Sequence, residues 1–306
     1  MTPAGLERDF SLARLTTVRT GGPADFFALA GDEGRLLELL AWAGGEGIRV
    51  GVVGSGSNLL VADDGFRGLA LKLEADLATI ERGGTRVVCG GGARLPSAAA
   101  KAAGWGLSGL EFGVNIPGTV GGAVKMNANA YGGELARTLE WVEVCSAGGR
   151  DRRAPDALDL DYRRSNLRPG EVVSRASFRL AEGDSAEIKA TLGEMRAKRH
   201  EAQPSGIKTF GSTFTNPDDA RTEGRTAGQL LEAAGCRGLE HGGARFSAKH
   251  ANFVENPGEA TTADVLALMA EGRRRVHERF GVTLEPEVQV LGEVEWPTSW
   301  DLAREG

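Results

Sequence analysis

At 306 residues the chain exceeds what one ordinary hydrophobic core serves, so two or three domains are expected. Charged residues at 25% and hydrophobic residues at 41% exclude a disordered or fibrous protein. A net charge of -6 argues against a nucleic-acid binder built on surplus Lys and Arg, and leaves small molecules as the expected partners.

Glu33 to Ala43 carries Leu36, Leu37, Leu39, Leu40 and Ala43 at helical spacing, stopped by Gly44, Gly45 and Gly47. Ile48, Val50 and Val52 follow as a strand that runs into Gly54-Ser55-Gly56-Ser57-Asn58, and Leu69 to Leu73 is a further strand. Arg86 to Cys89 is a strand leading to Gly90-Gly91-Gly92 and then to a helix over Pro96 to Ala103. Val142, Val144 and Phe178 to Leu180 read as strands around a basic, loop-like stretch from Arg150 to Arg168. Ile188, Leu192 and Met195 line one face of a charged helix from Ala186 to His200, placed as a crossing into a third domain. Helices are expected again at Ala227 to Ala234, closed by Gly235, and at Ala263 to Phe280, with Thr261 and Thr262 as candidate N-caps. Ala251 to Val254 and Val288 to Leu291 are the last strands, and Trp296 to Gly306 shows no period, so a loosely ordered tail is expected there. The expected class is α+β.

The 45 glycines are about twice the usual share and fall in clusters, which points to sites built from backbone. Gly54 to Asn58 follows a strand, so its amides are placed to form an anion nest, the glycines letting a ligand approach without a Cβ in the way. It fails the dinucleotide fingerprint because Leu59 stands at the third glycine. In Ile116-Pro117-Gly118-Thr119-Val120-Gly121-Gly122-Ala123, Pro117 fixes one dihedral while the glycines free others, so several exposed amides are expected in a defined shape. Taken alone, the first loop reads more readily as a mere turn, and the second less readily as a packing turn than as a site. Cys89, Cys145 and Cys236 have no disulfide or zinc spacing, the four histidines no metal spacing, and no stretch suits a leader or a membrane span. A cytoplasmic protein without a metal is expected.

An ordered series of runs carries a resemblance. It comprises Arg19-Thr20-Gly21-Gly22-Pro23-Ala24, Gly54 to Leu60, Gly109-Leu110-Glu111-Phe112 and Ile116 to Ala123. Met126-Asn127 with Ala130-Tyr131-Gly132-Gly133, Tyr162-Arg163 with Ser165, Gly211-Ser212 with Phe214 and Asn216-Pro217, and His250-Ala251-Asn252-Phe253 complete it. The series resembles the UDP-N-acetylenolpyruvoylglucosamine reductase (MurB) family. The resemblance implies a vanillyl-alcohol-oxidase-like (PCMH-type) FAD-binding fold in subdomains 1–75 and 76–184. It also implies a substrate domain over 185–295, whose last strand is free to return to the FAD half, and a tail at 296–306. It implies reduction of the enolpyruvyl ether of UDP-N-acetylglucosamine enolpyruvate to UDP-N-acetylmuramate in peptidoglycan precursor synthesis, with NADPH as hydride donor. FAD is expected noncovalently, since Gly54 to Asn58 offers no His or Cys. Its implied ligands are Gly54, Ser55, Gly56, Ser57, Asn58, Leu59, Gly113, Ile116, Pro117, Gly118, Thr119, Gly121, Gly122, Ala123 and Asn127. Tyr162, Arg163, Ser212, Asn216 and Gln229 are the implied substrate contacts.

In the family reaction a hydride reaches C3 of the enolpyruvyl group and leaves a carbanion at C2. Ser212 matches the family's proton donor, Arg163 the arginine that grips the carboxylate and enolate, and Glu287 the carboxyl that stabilises the intermediate. Without the resemblance these read as a turn serine, a solvated member of the run Arg163, Arg164 and Arg168, and a rival of Glu285. His200 and His277 read as surface residues and His250 as structural; Tyr131 and Phe112 read as ordinary core or flavin neighbours. The short interval from Arg163 to Ser212 and the lack of tyrosines beyond Tyr131 and Tyr162 resemble type II of the family. Thr215 stands where a lysine is common, with Lys208, Arg221 or Arg225 as replacements, and Asn129 stands where glycine is common, a change that asparagine's tolerance of positive φ makes mild. The competing readings are an FAD-dependent sugar or alcohol oxidase of the same fold and a non-catalytic nucleotide-sugar-binding homologue.

Overall fold

The computed structural model describes residues 2–204 and 206–301. By contacts the chain divides into two units: Met1–Phe10, Ala24–Ser55 and Arg67–Glu201 in the first, and Ser11–Pro23, Gly56–Phe66 and Ala202–Gly306 in the second.

The first unit holds two cores. In the smaller, the helix Glu33–Gly45, capped by the Asp32 carboxylate accepting from the Arg35 amide at 2.8 Å, buries Leu36, Leu39, Leu40 and Ala43. These pack on Ala28, Leu69 and Leu71 of a four-stranded sheet ordered Glu7–Ser11, Pro23–Ala30, Phe66–Leu73, Val50–Val52. The N-terminal two strands escaped sequence reading because Glu7–Ser11 is polar and mostly exposed, while Phe26 to Ala30 is a continuous apolar run without period-2 alternation. In the larger core a five-stranded antiparallel sheet runs in the order Gly149–Arg153, Leu139–Ser146, Val172–Arg179, Arg86–Gly90, Ile80–Gly83. The alanine-rich helix Leu95–Gly104 covers it.

Three expectations need correction. The basic stretch is not all loop, because Arg150 to Arg153 form an edge strand with Arg152 and Arg153 paired to Glu143 and Glu171. Charged edge strands of this kind are held by the ladder rather than by apolar alternation. The helix Ser185–Ala202 does lead to the second unit, which resumes at Ala202, but it packs with the first rather than opening a domain at 185: Ile188 and Leu192 are buried in the larger core with Leu107 and Leu180. Leu192→Ala is therefore expected to cost about 2–5 kcal/mol in urea denaturation, whereas a solvated tether would show almost no change. The two cores of the first unit leave the division near residue 75 as a proposal. The third correction concerns Ala251 to Val254, of which only Val254 lies in a strand (Val254–Glu255), while Phe253 makes an isolated bridge.

The second unit packs the helices Ala227–Ala233 and Thr262–Phe280 around Phe210, Phe214, Phe246 and Leu284. Both helices start in capping boxes, Thr226 with Gln229 and Thr261 with Asp264, and the longer ends on Gly281 at φ +66. The last strand, Gln289–Leu291, runs parallel to Leu59–Val61. Of the expected tail, residues 302–306 lie outside the described residues. The part before them is held: the Arg273 guanidinium sits 4.6 Å over the Trp300 ring and donates to its carbonyl, and Trp296 packs on Trp300.

Candidate active site

In the first unit the two glycine loops meet. A Cβ on Gly54 would lie 2.5 Å from Thr119 Oγ1 and 3.2 Å from its methyl, so only glycine lets the loops touch there. The second loop is less open than its sequence suggests. The Val120 amide donates to Ala93 O and the Gly121 amide to Gly91 O, each at 2.8 Å, which leaves Gly118 and Thr119 as its amides without a protein acceptor among the described residues. Thr119 caps the short helix Val120–Lys125 through Gly122 N. A Cβ on Gly118 or Gly122 would meet nothing closer than 4.0 and 3.5 Å, so protein packing does not demand glycine at either position. At Gly113 it does: a Cβ would come within 2.8 Å of Leu95. Ile116 is half-buried and Ala123 buried.

The first loop is the more open of the two. Gly54, Ser55, Gly56, Ser57 and Asn58 donate no backbone hydrogen bond to protein among the described residues, giving five successive unspent amides around Gly56 at φ +65. Gly56 itself rests on Leu15 and Thr16, its carbonyl accepting from the Thr17 amide and hydroxyl at 3.0 Å. Within the motif Arg19 to Ala24, packing demands both glycines, since a Cβ on Gly21 or Gly22 would strike Val61 or Asp63.

Arg163 of the first unit sits in a tight turn closed by the Asp161–Arg164 pair, at φ +58, a conformation few non-glycine residues adopt. Its Nη1 donates to Asn129 Oδ1 at 2.8 Å and its guanidinium lies 5.0 Å over the Tyr162 ring. Asn127 is fully buried and donates to Glu134 at 2.8 Å and to Asp161 O at 3.1 Å, while its Oδ1 has no partner. A groove of about 420 Å³ runs beside this turn, lined by Tyr131, Gly133, Glu134, Arg137 and Tyr162 among others. Tyr131 is half-exposed, its hydroxyl accepting from Asn115, whereas Phe112 is buried behind Gly133. Burial pushes the neighbouring Arg199 guanidinium below its usual pKa, and it donates to the Asn115 carbonyl. Asn129 is not among the residues at positive φ; Asn127 (+39) and Tyr131 (+52) are. The reason expected for tolerating asparagine at 129 is therefore not the operative one.

In the second unit Ser212 follows Gly211 at φ +84 and pairs with Phe253. Asn252 clamps this segment: its carbonyl accepts from Thr213 N, its Oδ1 from Phe214 N, and its Nδ2 donates to Phe214 O, all within 2.9 Å. On the other side the Glu287 amide donates to Thr213 O at 2.8 Å, so Ser212 and Glu287 are neighbours across one backbone junction. Asn58 closes the arrangement, its Nδ2 donating to Glu287 O at 3.2 Å and its carbonyl accepting from Gln289 N. Glu285 is exposed and faces Arg273 at 3.5 Å, which separates it from its rival.

Asn216 and Gln229 have structural work as well: Asn216 Oδ1 accepts from Ala227 N and Gln229 Oε1 from Thr226 N. His250 is held as the sequence suggested, its Nδ1 accepting from Asn252 N at 3.2 Å and burial lowering its pKa. Of the cations offered for the absent lysine, Arg221 is bound by Asp219 and Arg225 by Glu223, while Lys208 has no ion pair among the described residues. Among the described residues no three His, Cys, Asp or Glu side chains gather as metal ligands. Asn252 stood in the sequence only within a matching run, Asn129 only as a departure from the family pattern, and Glu134 not at all, because their partners lie beyond the reach of local spacing.

Residues 24–154 match a family described as an FAD binding domain, and residues 203–291 match the C-terminal domain of UDP-N-acetylenolpyruvoylglucosamine reductase. A UDP-N-acetylenolpyruvoylglucosamine reductase of Rubrobacter xylanophilus is 44% identical over 287 residues, 93% of this chain and 95% of its own length. One from Anaeromyxobacter dehalogenans is 44% identical over 286 residues, covering 94% and 85% respectively. The crystal structure of the enzyme of that name from Thermus caldophilus superposes with a TM-score of 0.80 at 37% identity, covering 95% of this chain and 99% of that one.

Proposed function

This chain belongs to the UDP-N-acetylenolpyruvoylglucosamine reductase family, and from that premise we propose that it reduces UDP-N-acetylglucosamine enolpyruvate to UDP-N-acetylmuramate with NADPH. It is an FAD-containing oxidoreductase whose first unit has the vanillyl-alcohol-oxidase-like FAD-binding fold. The residues present fit that cofactor. Within the first unit, the unspent amides of Gly54 and Ser55 and those of Gly118 and Thr119 suit a pyrophosphate, Gly118 and Gly122 leave the approach clear, and the orphaned Asn127 Oδ1 offers an acceptor. When bound, FAD relays two electrons from NADPH to the enolpyruvyl carbon.

Arg163 grips the substrate carboxylate through its planar fork and stabilises the charge that develops next to it. Ser212 holds the proton destined for C2, and Glu287, whose amide is bonded to the carbonyl of the next residue, Thr213, stabilises the same charge. Proton transfer from a positioned group contributes roughly 10² to 10⁴ in rate, which a serine of ordinary acidity supplies only if it is held in place. The observation that carries the reading is that holding: Asn252 on one side and Glu287 on the other fix the Ser212 segment. Tyr162, Asn216, Gln229 and Lys208 complete the proposed nucleotide-sugar contacts. The cytoplasm is the proposed compartment, supported by three free cysteines, all buried, with the Cys89 thiol pushed up to about 12 by burial. Among the described residues no helix is long and apolar enough to cross a membrane.

The test is anaerobic NADPH consumption by the purified yellow protein. Consumption strictly dependent on UDP-N-acetylglucosamine enolpyruvate, with UDP-N-acetylmuramate as product, is expected. Oxygen-dependent oxidation of a sugar alcohol without NADPH would replace the reading with an oxidase, and a flavin-bearing protein inert in both assays would replace it with a binding protein.

A further inference from the structure

Arg163 carries its guanidinium on a long flexible stem from an exposed turn, and a fork that recognises a carboxylate is useful only if it is aimed. Asn127, just after the helix Val120–Lys125, and Asn129, in the strand that follows it, hold that turn at both ends. Asn127 Nδ2 donates to the Asp161 carbonyl at 3.1 Å, before the arginine, and Asn129 Oδ1 accepts from Arg163 Nη1 at 2.8 Å. Asn129 is itself set in register by the Asn129–Glu134 pair of a short hairpin whose next residues carry the groove. The contact with the half-exposed Tyr162 ring, 5.0 Å away, is weaker and less directional than a hydrogen bond to a charged donor. Asparagine at 129 is not required by backbone conformation, since its φ is not positive, and its carbonyl, which Arg163 Nη1 also reaches at 3.5 Å, is common to any residue, so the closer amide oxygen is what asparagine adds.

We infer that Asn129 is a positioning residue for the reduction, its amide oxygen orienting the Arg163 guanidinium toward the substrate carboxylate. The inference rests on the role proposed for Arg163. A misaimed fork still attracts the anionic substrate but meets the developing charge poorly, so the loss falls on kcat rather than on KM.

The experiment compares Asn129→Ala, Asn129→Asp, Arg163→Ala and the Asn129→Ala/Arg163→Ala double variant, each assayed per mole of bound flavin. Asn129→Ala is expected to lower kcat about tenfold with a smaller change in KM, the scale of one hydrogen bond to a charged group. Asn129→Asp keeps an acceptor and should recover much of kcat while raising KM, because its charge repels the substrate carboxylate. In the Arg163→Ala background the Asn129→Ala effect should vanish, as it must if Asn129 acts through Arg163. An unchanged kcat per flavin in Asn129→Ala, or effects that multiply in the double variant, would overturn the inference while leaving Arg163 in place. An Arg163→Ala protein of native turnover would instead remove the role of Arg163 itself.

Discussion

Ser212→Ala is expected to leave the bleaching of bound flavin by NADPH intact and to slow its reoxidation by the enolpyruvyl substrate by roughly 10² to 10⁴. The substitution removes one hydroxyl and little else. The Ser212–Phe253 pairing and the Asn252 clamp use backbone atoms or the side chain of Asn252, so the segment keeps its course. The neighbouring hydroxyl cannot stand in: Thr213 is fully buried, and in extended chain its side chain points to the opposite face. Stopped-flow absorbance separates the two half-reactions, and reoxidation at the native rate would remove Ser212 from the proton transfer. Slowing of both half-reactions alike would point to a disturbed flavin site instead.

Gly54→Ala is expected to weaken flavin binding between a few-fold and about 100-fold. Its Cβ would fall 2.5 Å from Thr119 Oγ1, in a place where Thr119 also caps the helix Val120–Lys125 and pairs with Arg94. Overpacking of this kind costs about 1–3 kcal/mol, and a strain relieved by parting the two loops is charged to the ligand that needs them together, at about 1.4 kcal/mol per tenfold in affinity. Gly118→Ala is the counterpart: its Cβ meets only Ile116 at 4.0 Å and strains nothing in the protein itself, so any loss of affinity there reports obstruction of the ligand's approach rather than parted loops. Titration of the apoprotein with FAD, followed by flavin fluorescence, gives both affinities. Native affinity in Gly54→Ala would show that the apposition of Gly54 and Thr119 does not organise the cradle.

The same loops show how far sequence reading reaches. That the amides of Gly54 to Asn58 stay unspent was legible, because strand, glycines and lack of a following helix are all local. That Val120 and Gly121 give their amides to Ala93 and Gly91 was not, because those acceptors belong to a separate glycine turn almost 30 residues earlier. Asn216 and Gln229 illustrate the reverse: the family resemblance implies substrate contacts, and the fold adds that their oxygens start the helix Ala227–Ala233. The Thr226 and Thr261 caps were open to reading because each closes within three residues.

By itself the sequence determined the α+β class, most helices and their ends, the two glycine loops, and, through resemblance, the candidates Arg163, Ser212 and Glu287. These rest on spacing, capping and glycine freedom, all of which act over a few residues. Tertiary structure alone decided that Ile188 and Leu192 tie the helix Ser185–Ala202 to the first unit. It alone joined Glu287 to Thr213 across 74 residues and Arg163 to Asn129 across 34. Such pairings depend on which donors and acceptors remain unspent once the cores are packed, and one strand of sequence does not carry that information.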